Sequence, residues 1–342
     1  DVAIILGPNT PPTLAVQVVR WMNDPDLALR FQAAAGAVLQ LALVLFGLGL
    51  WRGMEMAVAR GGRAWIARGG RGRRGGEQAL RGGALILGGL AAGAVIAGLA
   101  GQVMWSFAGL WQFPDLWPDG FTFRNWHRFG PHLAAPVAET LVIAGAATAL
   151  ALLLTLASLE AEHRHGLRPA TRALWLLYLP LIVPQVAFLT GFQTLSIMAG
   201  VDGNRMAVIL AHLVFVLPYV FLSLSDPWRA WDARQDIVAR ALGAGPDRVL
   251  WAVRLPMLLR PLLVAAAVGF AVSVGQYLPT LLVGAGRVST LTTEAVALAS
   301  GGDRRAIGVY ALAQTAAAFA PFALAVLLPR LAWRNRKGMR DG

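Results

Sequence analysis

The sequence predicts an all-α integral membrane protein, and three observations carry that. Of its 342 residues, 57% are hydrophobic and only 14% are charged. The apolar residues gather in runs of roughly 17–25, the length of helix that crosses a bilayer core. Arginines cluster in alternate stretches between those runs, as the positive-inside rule asks of a multi-pass chain. A spanning segment must be helical, because lipid offers no partner to an open backbone N–H or C=O.

Residues 1–27 are a Pro-rich apolar loop ahead of the first span, and no signal-peptide pattern is seen there. Spans are expected at 29–51, 82–104, 133–157, 173–197, 205–225, 259–283 and 306–329. Pro184 and Pro218 are placed to kink their helices. Residues 52–81 hold eight Arg against Glu55 and Glu77 and read as a flexible Gly/Arg-rich cytoplasmic linker near anionic lipid. Its RGG-like run between two spans is topology rather than a nucleic-acid site. Arg164, Arg168 and Arg172, then the arginines of 226–260, then Arg334, Arg336, Lys337 and Arg340 complete the basic side. Loops 105–132, 198–204 and 284–305 are poorer in Arg. The rule therefore puts 226–260 and the C-terminus in the cytoplasm and 1–27 outside. The aromatic stretch 105–129 suits first the membrane–water interface, and second, without excluding it, a docking surface for an external partner.

A faint internal repeat runs at an offset of 277 residues. It puts Gly7 on Gly284, Thr13-Leu14 on Thr290-Leu291, Val19 on Val296 and Asp26 on Asp303. The chain is accordingly divided into 1–51, the C-terminal tail of a first repeat, the linker 52–81, and a second, six-helix repeat over 82–335.

The stretch 232–256 is charged and helix-forming, between two spans. Asp232 is placed as an N-cap for a helix over Ala233–Leu242. Gly243 follows, where a chain leaving a helix takes positive φ. Pro246 suits the first turn of a second helix, which should stop before Pro256. Val238, Ala241 and Leu242 form an apolar stripe that a groove on a soluble partner would accept.

These residues resemble the "EAA" coupling loop of ABC-importer permeases, whose pattern is E-A-A-x3-G-x9-I-x-L-P. Ile237, Val238 and Ala239 stand at E-A-A, Gly243 at G, Val253 at I, and Leu255-Pro256 close the match without a gap; Arg240 and Leu242 fit the usual R-x-L. Ile237 replaces the usual glutamate, and Asp236 stands one place earlier. The chain is similar to type I permeases with two fused repeats, of the YnjC-type group related to thiamine and ferric-iron permeases. The resemblance implies about seven transmembrane helices here, in a bacterial inner membrane. It implies a coupling loop of Asp236, Ile237, Val238, Ala239, Arg240, Leu242, Gly243, Ala244, Val253, Leu255 and Pro256. It also implies a dimer of ATPase subunits carrying ATP and Mg, an external solute-binding protein, and alternating access. The solute stays open.

No G-x4-G-K-[ST] motif occurs, so ATP hydrolysis is not expected of this chain, and no catalytic, cofactor or metal residue is assigned. Glu160, Glu162, His163 and His165 crowd together, but with no ligand elsewhere they read as a solvated loop. Gln185, Gln193, His212, Gln276, Tyr277 and Thr280 are polar positions within spans. They either line a path or bond between helices. An ion-coupled transporter or channel is the alternative, with His212 as its ionisable group, and a membrane scaffold is the second.

Overall fold

The computed structural model describes residues 10–26, 28–69, 74–112, 114–167 and 169–332. Gly7, Arg71, Arg73, Arg168 and the basic tail from Arg334, all used above, lie outside them. The fourteen helices among the described residues are α1 Leu14–Asn23, α2 Leu29–Ala67, α3 Arg74–Phe107, α4 Arg124–His165, α5 Thr171–Ile182, α6 Gln185–Met198, α7 Arg205–Arg229, α8 Ala233–Ala241, α9 Pro246–Val249, α10 Leu255–Met257, α11 Leu259–Val274, α12 Leu278–Gly284, α13 Leu291–Gly301 and α14 Arg304–Ala332. A π-helical turn, Leu250–Arg254, joins α9 to α10. Five helices are long and apolar enough to cross a membrane, or up to seven if each of two bent pairs is one span.

The bundle is built on α4 and α7, which pack along each other and against α11; α14 covers α11 and leans on α3. Ile143 and Ala147 of α4 meet Val208 and Phe215 of α7, Leu189 of α6 and Leu282 of α12 in one apolar cluster. Leu159 of α4 joins Val220, Leu224 and Trp228 of α7 in a second, nearer the coupling stretch. Small residues let the helices approach. A Cβ on Gly269 of α11 would lie 2.6 Å from Val220 Cγ2, and one on Gly308 of α14 would lie 2.7 Å from the backbone N of Ser106.

Several sequence expectations change. The span read at 173–197 is two helices, α5 and α6, bent by 97° at Val183-Pro184. Pro184 cannot donate the next ladder bond, so the chain turns there. The span read at 259–283 stops at Val274 and resumes at Leu278, across Gly275-Gln276-Tyr277. Pro218 leaves α7 continuous from Arg205 to Arg229. The linker 52–81 is helical up to Ala67 and again from Arg74, since its Ala, Arg and Met residues favour helix. The second helix of the coupling stretch does not stop before Pro256. Leu255 N–H reaches back five residues to Leu250 O, and the wider π turn takes the proline ring through to Met257. Glu160–His165 are the last turns of α4, which at 42 residues is about 63 Å long against a core of about 30 Å.

The repeat offset reappears in the helix starts. Leu14 and Leu291 each begin a helix after a threonine, but only Thr290 caps its helix with its side chain; Thr13 makes no such bond. Asp26 Oδ1 accepts from Ala28 N at 2.9 Å, and Asp303 Oδ1 accepts from Arg305 N at 3.1 Å. Both aspartates open the long helix that follows.

The α3–α14 crossing gives a first prediction. Gly308→Val should destabilise the purified protein by about 1–3 kcal/mol, because the added atoms meet backbone rather than a movable side chain. Gly93→Val on α3, where a Cβ meets nothing within 4 Å, should cost far less. Thermal unfolding in detergent compares them, and equal losses would contradict the crossing.

Candidate functional site

The coupling stretch folds as a helix, a glycine elbow and a second helix. Asp232 caps α8, its side chain accepting from Arg234 N at 2.9 Å. Gly243 leaves that helix at φ 84°. Its N–H bonds Arg240 O at 2.9 Å, and Ala244 N bonds Ala239 O at 3.0 Å, satisfying carbonyls at the helix end. Pro246 then begins α9. Nothing lies within 4 Å of a Cβ built on Gly243, so within this chain its substitution meets only the strain of positive φ.

Asp236 and Ile237 have opposite environments. Asp236 is buried, whereas Ile237 is 67% exposed, Val238 57% and Leu242 83%. Ala241 and Arg240 are exposed with them; Ala239, Ala244, Val253, Leu255 and Pro256 are half-buried. One face of α8 thus holds the segment to the bundle and the other stands open with an apolar surface.

What holds it is an ion cluster. Arg254 of the π turn donates from Nη2 to Asp236 Oδ2 at 2.6 Å and from Nη1 to Glu160 Oε2 at 2.6 Å. Trp231 Nε1 donates to Asp236 Oδ1 at 3.1 Å. Arg254 lies 5.5 Å from the Trp228 ring and 5.7 Å from the Trp231 ring, each within cation–π reach. His163 Nε2 is 2.7 Å from Asp236 Oδ2 and 2.6 Å from Arg254 Nη2. When protonated at Nε2 it donates to the carboxylate, and in the other tautomer it accepts from the guanidinium. Burial pushes the Asp236 carboxyl up. The His163 hydrogen bond, the Arg254 charge and the Trp231 N–H outweigh it and hold the group below the usual aspartate value. A second tie, Arg164 to Glu160 and Asp247 at 2.6 and 2.8 Å, lies alongside, and Arg229 pairs Glu162 at 3.0 Å. The acidic and histidine cluster at the end of α4 is therefore no solvated loop. No group of three metal-binding side chains occurs among the described residues.

The residues read as a path divide. His212 is fully enclosed, with Nδ1 2.8 Å from Ser273 Oγ and Nε2 2.9 Å from Thr280 Oγ1. It ties α7 to α11 and α12 and uses both ring nitrogens. Tyr277 packs against the apolar cluster of α4, α6 and α7, and Gln193 lies half-buried on α6. Gln185 and Gln276 share one cavity. They line a cavity of about 500 Å³ beside the α5/α6 bend, with Gln40 of α2, Tyr219 of α7 and the end of α11. Arg254, Gln40 and Tyr219 are not singled out in the sequence as site residues, and Glu160 and His163 stand out there only as a solvated loop. Only the Glu160–Arg164 spacing of four on one helix hinted at any of their contacts.

The cluster yields a test in two parts. Arg254→Met leaves two carboxylates without their guanidinium and should cost about 3–5 kcal/mol of stability. Asp236→Asn should cost less at neutral pH. Because the folded-state pKa of Asp236 is depressed, its contribution is fully present above about pH 4 and is lost as pH falls through the lower folded value. Thermal unfolding of wild type and Asp236→Asn should therefore differ at pH 7 and converge in strong acid. A constant difference across that range would contradict the pairing.

Comparison with known proteins follows this geometry. Residues 154–332 match the model of the family described as "Binding-protein-dependent transport system inner membrane component". The chain is 34% identical over 344 residues to the "Inner membrane ABC transporter permease protein YnjC" of Escherichia coli K12, covering 99% of this chain and 60% of that relative. It is 33% identical over 174 residues to the "Molybdenum transport system permease protein ModB" of Mycobacterium tuberculosis, covering 46% of this chain and 66% of the relative. Over 150 residues it is 27% identical to the "Putrescine transport system permease protein PotI" of Escherichia coli K12, covering 41% and 53%. The chain thus spans about three fifths of the YnjC length. The all-α membrane fold, the matched segment from the end of α4 through α14, and these permease relatives agree: the chain belongs to the family of binding-protein-dependent transport system inner membrane components.

Proposed function

We propose that this chain is the permease part of an ABC importer that moves a small solute inward by alternating access, and that the segment 232–256 is its coupling loop. One observation carries the reading. An elbowed pair of short helices offers Ile237, Val238 and Leu242 to solvent while a buried ion cluster fastens its other face to α4. An apolar surface on a loop needs a partner, and a loop that transmits force needs a rigid root. In this reading two ATPase subunits bind ATP, close, and push the loop. Because Arg254 joins the π turn to α8 and to α4, the push reaches the bundle as a rigid-body movement. An external binding protein delivers the solute. The loop and the C-terminus are cytoplasmic, and loops 105–132, 198–204 and 284–305 are outside. Residues 1–51 are the tail of a first repeat, which the helix starts at Leu14 and Leu291 and the matching Asp26 and Asp303 contacts support.

Affinity purification of the full reading frame in mild detergent tests the coupling. An ATPase subunit should come with wild type and be lost from Gly243→Asp, which strains the elbow and sets a charge beside the apolar face. An ATPase retained by the mutant, or absent from wild type even after crosslinking, would reject the loop. Topology is tested apart from this. Cysteine at Ala244 should be labelled from the cytoplasm and at Arg287 from outside, and reversed labelling would overturn the orientation.

A further inference from the structure

We propose that the open face of segment 232–256 fits a groove on the ATPase that is apolar at its floor and edged with carboxylates, so that Arg234, Arg240 and Arg248 draw the partner in and set its register. This deepens the permease reading and rests on it. The cations at this end of the bundle are sorted by direction. Arg254 is buried between Asp236 and Glu160, Arg164 pairs Glu160 and Asp247, and Arg229 pairs Glu162. Arg234, Arg240 and Arg248 are exposed, and among the described residues none of their guanidiniums has a hydrogen-bond, ion-pair or ring partner.

These arginines stand among exposed apolar side chains. Arg234 lies three residues before Ile237 and four before Val238, and Arg240 lies three after Ile237, spacings that make neighbours on a helix surface. Ile237, Val238 and Leu242 are all exposed. Beyond the elbow, Val249 and Arg254 are both buried, and Trp251 between them in the π turn is 70% exposed. An apolar centre with a polar rim, rich in Trp and Arg, is the make-up of a protein interface. A lipid surface suits it less. A helix resting on lipid needs a broad apolar face, and on α8 the exposed Arg234 and Gln235 interrupt the side that carries Val238.

The sign of the partner follows from what the segment withholds. Where the coupling pattern has glutamate, Ile237 offers no charge, and the neighbouring Asp236 is buried against Arg254. The other carboxylates of 232–256 are engaged within the chain: Asp232 Oδ1 caps α8, and Asp247 pairs Arg164. A cation on the partner would have to compete for them, whereas a carboxylate would meet guanidiniums that no group of this chain engages. Cations along the groove would face Arg234, Arg240 and Arg248 as like charges, which opposes docking, so an acidic edge is the complement.

The full-length permease is placed in phosphatidylcholine nanodiscs, and in parallel in phosphatidylglycerol nanodiscs. Each is titrated with the ATPase subunit recovered with wild type, at about 50 and about 500 mM salt. Wild-type affinity should fall about tenfold between the two salts in either lipid. Arg234→Gln, Arg240→Gln and Arg248→Gln together should weaken binding about tenfold at the lower salt and flatten the salt response, while Arg→Lys at the same positions should keep both. Trp251→Ala should weaken binding about tenfold and leave the salt response as it is. These side chains are exposed, so the variants should unfold at the wild-type temperature. A Gln variant that binds as wild type does, or that keeps the salt response, overturns the proposal, and so does Trp251→Ala at full affinity. A loss confined to the phosphatidylglycerol discs also overturns it, giving the arginines to the membrane surface. If no ATPase comes with wild type in the purification above, the permease reading fails and takes this proposal with it. The outcomes named here reject the acidic groove alone, so the two failures stay distinct.

Discussion

The hold of segment 232–256 on the bundle centres on Arg254. A guanidinium taken out of water is costly unless its donors are met, and here carboxylates on two different elements meet them. Glu160 belongs to α4, the longest helix of the bundle, and Asp236 to α8, the outermost piece of the coupling segment. Trp228 and Trp231 border the same charge. A well-packed apolar contact would hold the segment at similar strength, but it would slide. A planar guanidinium engaging two carboxylates fixes position and angle together. That geometry suits a loop whose outer face must transmit displacement.

The bundle itself is stiff in some places and interrupted in others, and the two are arranged with purpose. α4 and α7 are continuous, and His212 fastens α7 to α11 and α12 through two hydroxyls. Ser273 and Thr280 stand on either side of the Gly275–Tyr277 break, so one imidazole bridges both sides of an interruption in the backbone ladder. The α5/α6 bend has no such bridge among the described residues; it opens on the cavity of Gln40, Gln185 and Gln276. Backbone freed from its ladder in a membrane must find protein or a water-lined space. Both breaks border that cavity, through Gly275 and Gln276 on one side and Val183 and Pro184 on the other, but among the described residues only the first is spanned by a side-chain bridge.

Much of this was legible in the sequence because the signals are local. Capping by Asp232, positive φ at Gly243 and the helix start at Pro246 each depend on one residue and its near neighbours. Hydropathy likewise set the spans to within a turn or two at most ends. What could not be read depends on distance. Glu160 lies 94 residues from Arg254, and nothing around either marks the other. The pattern sets Ile237 at the usual glutamate with Asp236 one place earlier, and only burial shows that the aspartate faces the bundle while the isoleucine faces out. The bends were half-legible. Pro184 announced a kink, but whether proline bends or breaks a helix depends on what satisfies the freed carbonyls, and Pro218 in α7 shows the milder outcome.

The proposed internal repeat shows how likeness could be faint in letters and still survive at helix starts. Lipid-facing positions accept Leu, Val, Ala or Phe almost indifferently, since each offers the same solvent an apolar surface. Such positions drift. Helix starts cannot, because an orphan N–H in an apolar setting needs a short side-chain acceptor at a fixed offset. Asp26 and Asp303 each place an oxygen on the amide two residues ahead; of the threonines before α1 and α13, Thr290 accepts a helix N–H with its side chain and Thr13 does not. The few identities that persist at an offset of 277 are thus concentrated where backbone chemistry permits the fewest alternatives. Two helix starts held by an aspartate oxygen on the amide two residues ahead can therefore keep the same local backbone chemistry while the faces around them diverge.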